Sequence, residues 1–423
     1  MRALVVGGGG REHALAWKLA QSPSVDALYA APGNAGIEEV ATCVPIEPTD
    51  LHAIVDLVDR QRIDLTVIGP DAAVVAGLAD ELEAKGFRAF GPSKAAARIE
   101  GSKSWAKDVC RRHGIPTGRA EAFTSPEEAI SYLGKVESPY VVKADGLAAG
   151  KGVTIATTRR EAEQAIRRAM VDRAFGPSGE RVLIEEFLEG REVSAFALTD
   201  GERVVPLAFA QDFKRAGDGD LGPNTGGMGA YSPVPWVDEG NGARIFSDIM
   251  EGTVRALARE GIPYRGCLYG GLILTSDGPK VLEFNSRFGD PETQTVLPRF
   301  RGDLAAALAA CVDGTLTPDA VGWAQEACVT VVLASGGYPG PHRTGIEVRG
   351  LEEAGKTDKA VVFHAGTGRR DGRVVTAGGR VLAVSALGTD LAEARRRAYE
   401  ACARISFEGM HHRTDIAKEA AGG

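Results

Sequence analysis

The chain has 423 residues, a formal net charge of -8, and 44% hydrophobic and 25% charged residues, which are ordinary proportions for a globular protein. The acidic balance argues against a nucleic-acid surface, and no run approaches the roughly 18 apolar residues of a membrane span. Six scattered cysteines without a C-x-x-C pair and a start unlike a signal peptide predict a cytoplasmic protein of about two to four domains.

The first hundred residues alternate short apolar runs with helical patterns, which predicts a Rossmann-like domain with a parallel sheet. Strands are expected at residues 2–6, 27–30 and 65–68, and helices at residues 12–21, 51–60 and 72–85.

The turn after the first strand carries four consecutive glycines and is a candidate anion site. It is not a dinucleotide fingerprint, because Glu12 stands where the third glycine belongs. We therefore expect a phosphate or phosphosugar at the start of the helix, with Arg11 as a bidentate partner, and not NAD. The loops at residues 32–34 and 69–71 follow the next strands and reach the same edge of the sheet.

A second region begins near residue 101, with Lys103 at the start of a helix that ends at Gly114. Two more helices are predicted to start at the capping boxes of Ser125 and Thr158. The unit reads helix, strand, loop, strand, helix, strand, and it is small enough to move as a lid.

Between these two helices an apolar strand carries Lys143 into a loop of small residues, 146–152. This is not a Walker P-loop, because three residues separate Gly146 from Gly150 and a glycine follows Lys151. Backbone N–H groups of the loop can still approach a triphosphate closely. An unpaired ammonium inside an apolar strand is costly, so Lys143 needs a bound anion or a carboxylate partner.

Antiparallel hairpins follow, at residues 193–199 with 203–210 and 268–275 with 279–284. Strand alternation places Glu283, Asn285 and Arg287 on one face of the last strand and its extension. Hard oxygen ligands of this kind suit magnesium, which typically combines one or two protein ligands with nucleotide phosphates. The preceding strand, 269–274, carries no carboxylate.

A long glycine-rich segment, residues 211–231, holds Asp212 and Lys214 and is predicted to be a substrate loop. From residue 326 onward a small α/β domain is expected, without a recognisable chemical signal. Its strands are predicted at residues 328–334, 360–364, 374–376 and 380–385, and its helix at residues 391–405.

Six motifs in a fixed order resemble the phosphoribosylamine–glycine ligase family of the ATP-grasp superfamily. They are GGGGREHAL from residue 7, GSK from 101, KADGLAAGKG from 143, EEFL from 185, NTGGMG from 224 and EFNSRFGDPETQ from 283. Single motifs are shared across the superfamily, whereas the whole series is specific to this family. The resemblance implies a multidomain α/β and α+β fold with a Rossmann-like domain at 1–101, an ATP-grasp domain at 102–325 with a mobile lid at about 123–190, and a C-terminal α/β domain at 326–423.

The resemblance also implies a reaction, in which ATP phosphorylates the glycine carboxylate and the amine of 5-phosphoribosylamine attacks the glycyl phosphate, in purine biosynthesis. Mg²⁺ or Mn²⁺ would be required, and a monomer or weak homodimer is expected, with no nucleic-acid or membrane partner.

Residue roles carried over from the family fall into four groups. ATP would be held by Lys103, Lys143, Gly146, Gly150, Lys151, Gly152, Glu185, Glu186, Leu188 and Glu192, and the metal by Glu283 and Asn285. Catalytic roles fall to Arg287, Asp212 and Lys214. The phosphoribosylamine site would comprise Gly10, Arg11, Glu12, Pro32, Gly33, Asn34, Asp71, Asn224, Gly226, Gly227 and Met228.

Two alternatives remain open at this point. A sister carboxylate-amine or carboxylate-thiol ligase would share the ATP site but could dispense with the loops of Arg11 and Asp71. A non-catalytic nucleotide sensor would require lesions at Lys143 or Glu283, and neither position carries one.

Overall fold

The computed structural model describes residues 1–148 and 151–422. Within these residues no helix is both long and apolar enough to cross a membrane. Four sheets of four or five strands organise the chain, one of them in the lid, and each buries its apolar face against helices or a neighbouring sheet. The multidomain α/β architecture with a parallel N-terminal sheet is confirmed.

The N-terminal domain is built on a parallel sheet, as its alternating pattern predicts. In spatial order its strands are Thr42–Cys43, Ala27–Pro32, Arg2–Gly7, Leu65–Ile68 and Ala89–Phe90. Its helices are Gly10–Leu19, Leu51–Gln61, Asp71–Ala76, Leu78–Glu83 and Lys94–Gly101. The predicted helix at 72–85 is wrong as one element, because Gly77 adopts φ +97° and divides it into two.

The lid carries the lysine strand, Tyr140–Ala144, in a four-stranded antiparallel sheet. In spatial order its strands are Ala120–Phe123, Val182–Glu186, Tyr140–Ala144 and Val153–Ala156. Helices Pro126–Tyr132 and Arg159–Met170 cover one face and begin at the predicted caps, Ser125 and Thr158. The first strand was not predicted, because its sequence, AEAF, has no β-branched residue.

The central antiparallel sheet forms the floor beneath the lid. In spatial order its strands are Val204–Pro206, Arg191–Asp200, Arg265–Thr275 and Gly278–Asn285, which confirms both predicted hairpins. Glu283 lies opposite Gly271, whose missing side chain leaves room for the glutamate: a Cβ there would lie 3.1 Å from Glu283 Cγ. The helices of this region are Lys103–His113, Glu239–Arg244, Glu251–Arg259, Glu292–Val296 and Leu304–Asp313.

The third sheet combines the C-terminal part of the chain with two strands from the predicted substrate loop. In spatial order its strands are Gln211–Asp212, Gly229–Ser232, Ala327–Ala334, Arg380–Gly388 and Ala360–His364, and its helices are Leu351–Gly355 and Leu391–Cys402. Three two-stranded ribbons complete the fold, at Arg215–Gly217 with Leu221–Asn224, Phe300–Arg301 with Gly322–Trp323, and Thr367–Arg370 with Arg373–Thr376. The segment at 211–231 is therefore mostly ordered strand and turn, and it supplies two strands at one edge of the C-terminal sheet.

Candidate active site

A cleft of about 1660 Å³ opens between the lid, the central sheet and the C-terminal part of the chain. Arg11 and Asp71 from the N-terminal domain reach it, and so do Tyr338 and Arg380 from the C-terminal part. Most of the predicted site residues also line it, namely Lys103, Lys143, Lys151, Gly152, Glu185, Glu186, Leu188, Glu192, Asp212, Lys214, Asn224, Gly226, Glu283, Asn285 and Arg287.

Lys143 finds the carboxylate partner that its apolar strand requires. Its Nζ lies 2.6 Å from Glu185 Oε2 and donates to the Leu282 carbonyl at 3.0 Å. The pairing follows from the sheet, since Glu185 stands opposite Val141 and Lys143 lies two residues further along the same face. Lys107 contacts the other carboxylate oxygen, so one glutamate serves two buried lysines.

Lys103 ties the start of its helix to the beginning of the glycine loop. Its Nζ donates to the Gly146 carbonyl at 3.0 Å, and its backbone N–H donates to the Asp145 carbonyl at 3.0 Å. Burial lowers the pKa of Lys103 below its usual value. Lys151 Nζ donates to the Pro339 carbonyl at 2.9 Å, which joins the lid to the C-terminal part. Gly150 lies outside the described residues.

Glu283 is an ionised carboxylate in a strongly positive environment. Burial acts to raise its pKa, but neighbouring cations outweigh burial and lower the pKa below the usual value. Those cations are Lys214, Lys143, Lys103 and Arg287. Asn285 Oδ1 accepts a hydrogen bond from Arg287 Nη2 at 3.2 Å, which orients the amide oxygen on the same face.

Arg287 pairs with Glu100, a residue to which the sequence analysis assigned no role. Arg287 Nη2 lies 3.0 Å from Glu100 Oε1, and the other oxygen of Glu100 accepts from Ser286 N and Oγ, each at 2.8 Å. Among the described residues, Arg287 Nε is buried and has no hydrogen-bond partner. The guanidinium therefore has a donor available for an anion.

Asp212 ends the strand Gln211–Asp212, and Lys214 lies between it and the ribbon strand Arg215–Gly217. Lys214 Nζ donates to Glu192 Oε2 at 2.8 Å. Burial, reinforced by Glu292, raises the pKa of Asp212 to about 7 despite the opposing charge of Lys214. A carboxyl with such a pKa can exchange a proton near neutral pH.

The remaining N-terminal residues predicted for the phosphoribosylamine site lie behind the cleft wall. Glu12 accepts from Gly9 N at 2.7 Å and from Arg11 Nε at 2.6 Å, and so caps its helix and fixes the arginine. Asn34 donates to the Gly8 and His364 carbonyls, each at 2.8 Å. Neither side chain lines the cleft, and neither do Gly10, Pro32 and Gly33.

The loop at residues 224–229, which we call the acceptor loop, is split between cleft and interior. Asn224 and Gly226 line the cleft, whereas Met228 is fully buried. Gly227 has φ +110°, and a Cβ there would lie 2.4 Å from Pro291 Cδ, so the loop packs tightly against the turn after the Glu283 strand.

The cleft residues that the sequence analysis missed include Lys107, Tyr338 and Arg380. Lys107 could have been found, because it lies four residues after Lys103 on one helix and therefore shares its face. Tyr338 and Arg380 come from a region without a chemical motif, and only the fold brings them to the cleft.

The oxygen donors of the cleft suit a divalent ion whose coordination shell is completed by oxygen atoms of a bound ligand. Within residues 1–148 and 151–422, no cluster of three or more His, Cys, Asp or Glu could hold a metal alone. Glu283 and Asn285 instead offer one carboxylate and one amide oxygen on a single face, which suits an ion that also binds phosphate oxygens.

Comparison with known proteins agrees with this geometry along the whole chain. Residues 1–100, 101–293 and 328–419 match the N domain, the ATP-grasp (A) domain and the C domain described for phosphoribosylglycinamide synthetase. Phosphoribosylamine–glycine ligase from Streptomyces coelicolor is 51% identical over 425 residues, covering 100% of both chains. The Agrobacterium fabrum enzyme is 49% identical over 420 residues, covering 99% of each.

Solved structures give the same result. The crystal structure of phosphoribosylamine–glycine ligase from Thermotoga maritima superposes with a TM-score of 0.86 at 35% identity, covering 99% of this chain and 100% of that one. Biotin carboxylase from Campylobacter jejuni shares the fold alone, with a TM-score of 0.75 at 13% identity over 100% of this chain and 95% of that one. The chain therefore belongs to the phosphoribosylamine–glycine ligase family, the ATP-grasp enzymes that ligate glycine to phosphoribosylamine in purine biosynthesis.

Proposed function

We propose that the cleft holds the ATP of this ligation with its adenine between the lid and the central sheet. Glu185, Glu186 and Leu188 line that end, together with the apolar side chains of Val141 and Ile273. Glu192 would accept the ribose hydroxyls beside Lys214. The strand end at 185–188 offers backbone hydrogen-bonding groups to the base edge.

The triphosphate extends over Lys103, Lys143 and the glycine loop. Lys143 can donate to a phosphate while it keeps Glu185 and the Leu282 carbonyl, because an ammonium has three N–H bonds. Glu283 and Asn285 would hold Mg²⁺ or Mn²⁺. When bound, the ion neutralises charge on the phosphate oxygens during transfer.

Arg287 orients the glycine carboxylate for the first step. A carboxylate oxygen attacks the γ-phosphorus, and the bond to the bridging oxygen of ADP breaks. The buried, unpartnered Nε of Arg287 supports this role, since a guanidinium donates well to an anionic oxygen. Closure of the lid excludes water from the acyl phosphate.

Asp212 takes the proton of the second step. The amine nitrogen of phosphoribosylamine attacks the glycyl carbonyl carbon, phosphate leaves with a former carboxylate oxygen, and a proton from the nitrogen passes to Asp212. A pKa of about 7 suits a proton acceptor at neutral pH. Arg11, Asp71 and the acceptor loop hold the phosphosugar.

The single observation that carries the proposal is the position of Glu283. Its ionised carboxylate lies among four cationic side chains, in a cleft that residues of all three domains line. A metal ion on this carboxylate and a triphosphate on the surrounding cations would balance the charges of the cleft.

The test follows oxygen through the reaction. Glycine labelled with ¹⁸O in its carboxylate is supplied with ATP and freshly made phosphoribosylamine, and the released phosphate is examined by mass spectrometry. One labelled oxygen in the phosphate is expected. ADP formation that is indifferent to glycine would refute the glycyl phosphate step, and transfer to a different amine would favour a sister ligase.

A further inference from the structure

Two of the C-terminal residues that line the cleft contact the same residue of the acceptor loop. Tyr338 lies in the turn at residues 336–340, and Arg380 begins the strand Arg380–Gly388. Both side chains line the cleft beside Gly226 of the acceptor loop. Neither residue takes part in the proposed chemical steps.

Tyr338 is seated so that its hydroxyl points at the acceptor loop. Its ring packs against Gly379, where an added Cβ would lie 2.3 Å from Tyr338 Cδ2. Ser335 N donates to the Gly379 carbonyl at 2.7 Å, which ties the start of the turn to the residue before Arg380. The hydroxyl then accepts a hydrogen bond from Gly226 N at 3.0 Å.

Arg380 holds the other polar group of the same residue. Its Nη1 donates to the Gly226 carbonyl at 2.5 Å and to the Asp290 carbonyl at 2.8 Å. The Asp290 carboxylate lies 3.3 Å away and adds an ion pair. The guanidinium thus joins the acceptor loop to the turn that follows Glu283 and Arg287.

We propose that Tyr338 and Arg380 are positioning residues, forming a clamp that sets the acceptor loop at the distance from the acyl phosphate needed for attack by the amine. The inference rests on the proposed function of the loop. The clamp also meets the lid, because Lys151 Nζ donates to the carbonyl of Pro339, the residue after Tyr338. Acceptor loop and lid therefore touch the same turn.

Tyr338→Phe tests the clamp by removing a single hydroxyl. The KM for phosphoribosylamine is expected to rise about 5-fold, because one hydrogen bond is lost, while the KM values for ATP and glycine change less than about 2-fold. Phosphate released per ligated product should also rise, since the acyl phosphate waits longer for the amine. Arg380→Lys should raise the acceptor KM by at least about 5-fold, because lysine cannot bridge two carbonyls and a carboxylate in the same geometry.

Tyr132→Phe is the matched control. The ring centroid of Tyr132 lies 5.1 Å from that of Phe123, and its hydroxyl makes no hydrogen bond to the described residues. The substitution should leave all three KM values unchanged. Equal changes in all three KM values for Tyr338→Phe, or no change in any, would overturn the clamp. Label transfer by the wild-type enzyme reports separately on the proposed function, so the two failures are distinguishable.

Discussion

Lys143 Nζ lies 2.6 Å from Glu185 Oε2, and both side chains are buried on the face of the lid sheet that looks into the cleft. Lys107 shares the same carboxylate from the helix Lys103–His113. Two ammonium groups on one carboxylate leave a net positive charge, which suits a site for phosphate. Lys107, on its helix outside the lid, and the Leu282 carbonyl, which accepts from Lys143, therefore join this pair to the rest of the nucleotide site before any ligand binds.

Removing the carboxylate of this pair should damage both stability and ATP binding. Glu185→Ala leaves two buried lysines without their partner, which is expected to cost about 3–5 kcal/mol. The KM for ATP should rise more than about 10-fold, because Lys143 loses its orientation. Denaturant unfolding and steady-state kinetics measure the two effects.

Glu408→Ala provides the control for that experiment. Glu408 pairs with Arg343 at 3.2 Å, and both side chains are well exposed. Its loss should cost less than about 1 kcal/mol, as is usual for surface pairs. A stability loss for Glu185→Ala as small as that of the control would contradict the structural role of the buried pair.

The pKa of Asp212 predicts the pH profile of the second step. Below about pH 7 the carboxyl is protonated and cannot accept the proton of the amine, so kcat/KM for phosphoribosylamine should fall as the pH drops. Asp212→Asn should lower kcat/KM by roughly 10²–10⁴-fold and remove the limb that titrates near pH 7. Initial rates between pH 5.5 and 8.5 with freshly prepared acceptor test this.

Asp238→Asn is a suitable comparison for Asp212. Asp238 caps a helix by accepting from Asn241 N at 2.7 Å, and Asn caps equally well, so neither the rate nor the profile should change. If Asp212→Asn keeps the limb near pH 7, another group accepts the proton.

Local sequence patterns were sufficient to predict features that depend on residues close together in the sequence. The spacing of the apolar residues predicted the parallel N-terminal sheet. The free-energy cost of burying an unpaired ammonium predicted that Lys143 has an anionic partner. Glu283 and Asn285 followed from strand alternation, and the structure places both in the cleft. Their roles as metal ligands stay predictions, as do the domain boundaries.

Contacts between residues far apart in the sequence could not be predicted from local patterns. Arg380 lies 154 residues from Gly226 along the chain, and no spacing rule connects them. The strands Gln211–Asp212 and Gly229–Ser232 join the C-terminal sheet for the same reason, since pairing partners are chosen by the fold and not by neighbouring sequence. The residues that the C-terminal part contributes to the cleft were therefore missed.

Two neutral histidines at the joint between the N-terminal helix and the C-terminal sheet predict sensitivity to acid. His364 N donates to His13 Nδ1 at 2.7 Å. Burial lowers the pKa of His13 to about 3 and that of His364 to about 4. Below pH 6.5 the unfolded chain binds more protons than the folded one, so stability should fall as the pH drops from 6.5 towards 4.

The loss due to His364 should be on the order of 3 kcal/mol by pH 4. Unfolding midpoints measured from pH 7 to pH 4 should fall steeply for the wild type and less steeply for His364→Gln. His52→Gln, at an exposed position, should follow the wild-type curve. Identical slopes for wild type and His364→Gln would show that this histidine does not titrate on unfolding.

Glu283→Ala separates metal binding from folding. Glu283 is expected to be the one carboxylate that anchors the ion, so turnover should fall by more than about 10³-fold, as expected when charge stabilisation of the transferring phosphate is lost. The fold should survive, because Glu283 is only half-buried at the surface of the open cleft, so its truncation leaves no sealed cavity. Mn²⁺ binding in the presence of ADP, followed by electron paramagnetic resonance, should weaken strongly in the variant, while the circular dichroism spectrum stays that of the wild type.

Glu189→Ala is the matched control because Glu189 is exposed and does not line the cleft, so Mn²⁺ affinity should be unchanged. Full activity of Glu283→Ala would exclude Glu283 as an essential metal ligand, and wild-type Mn²⁺ affinity with lost turnover would instead limit its role to the chemical step.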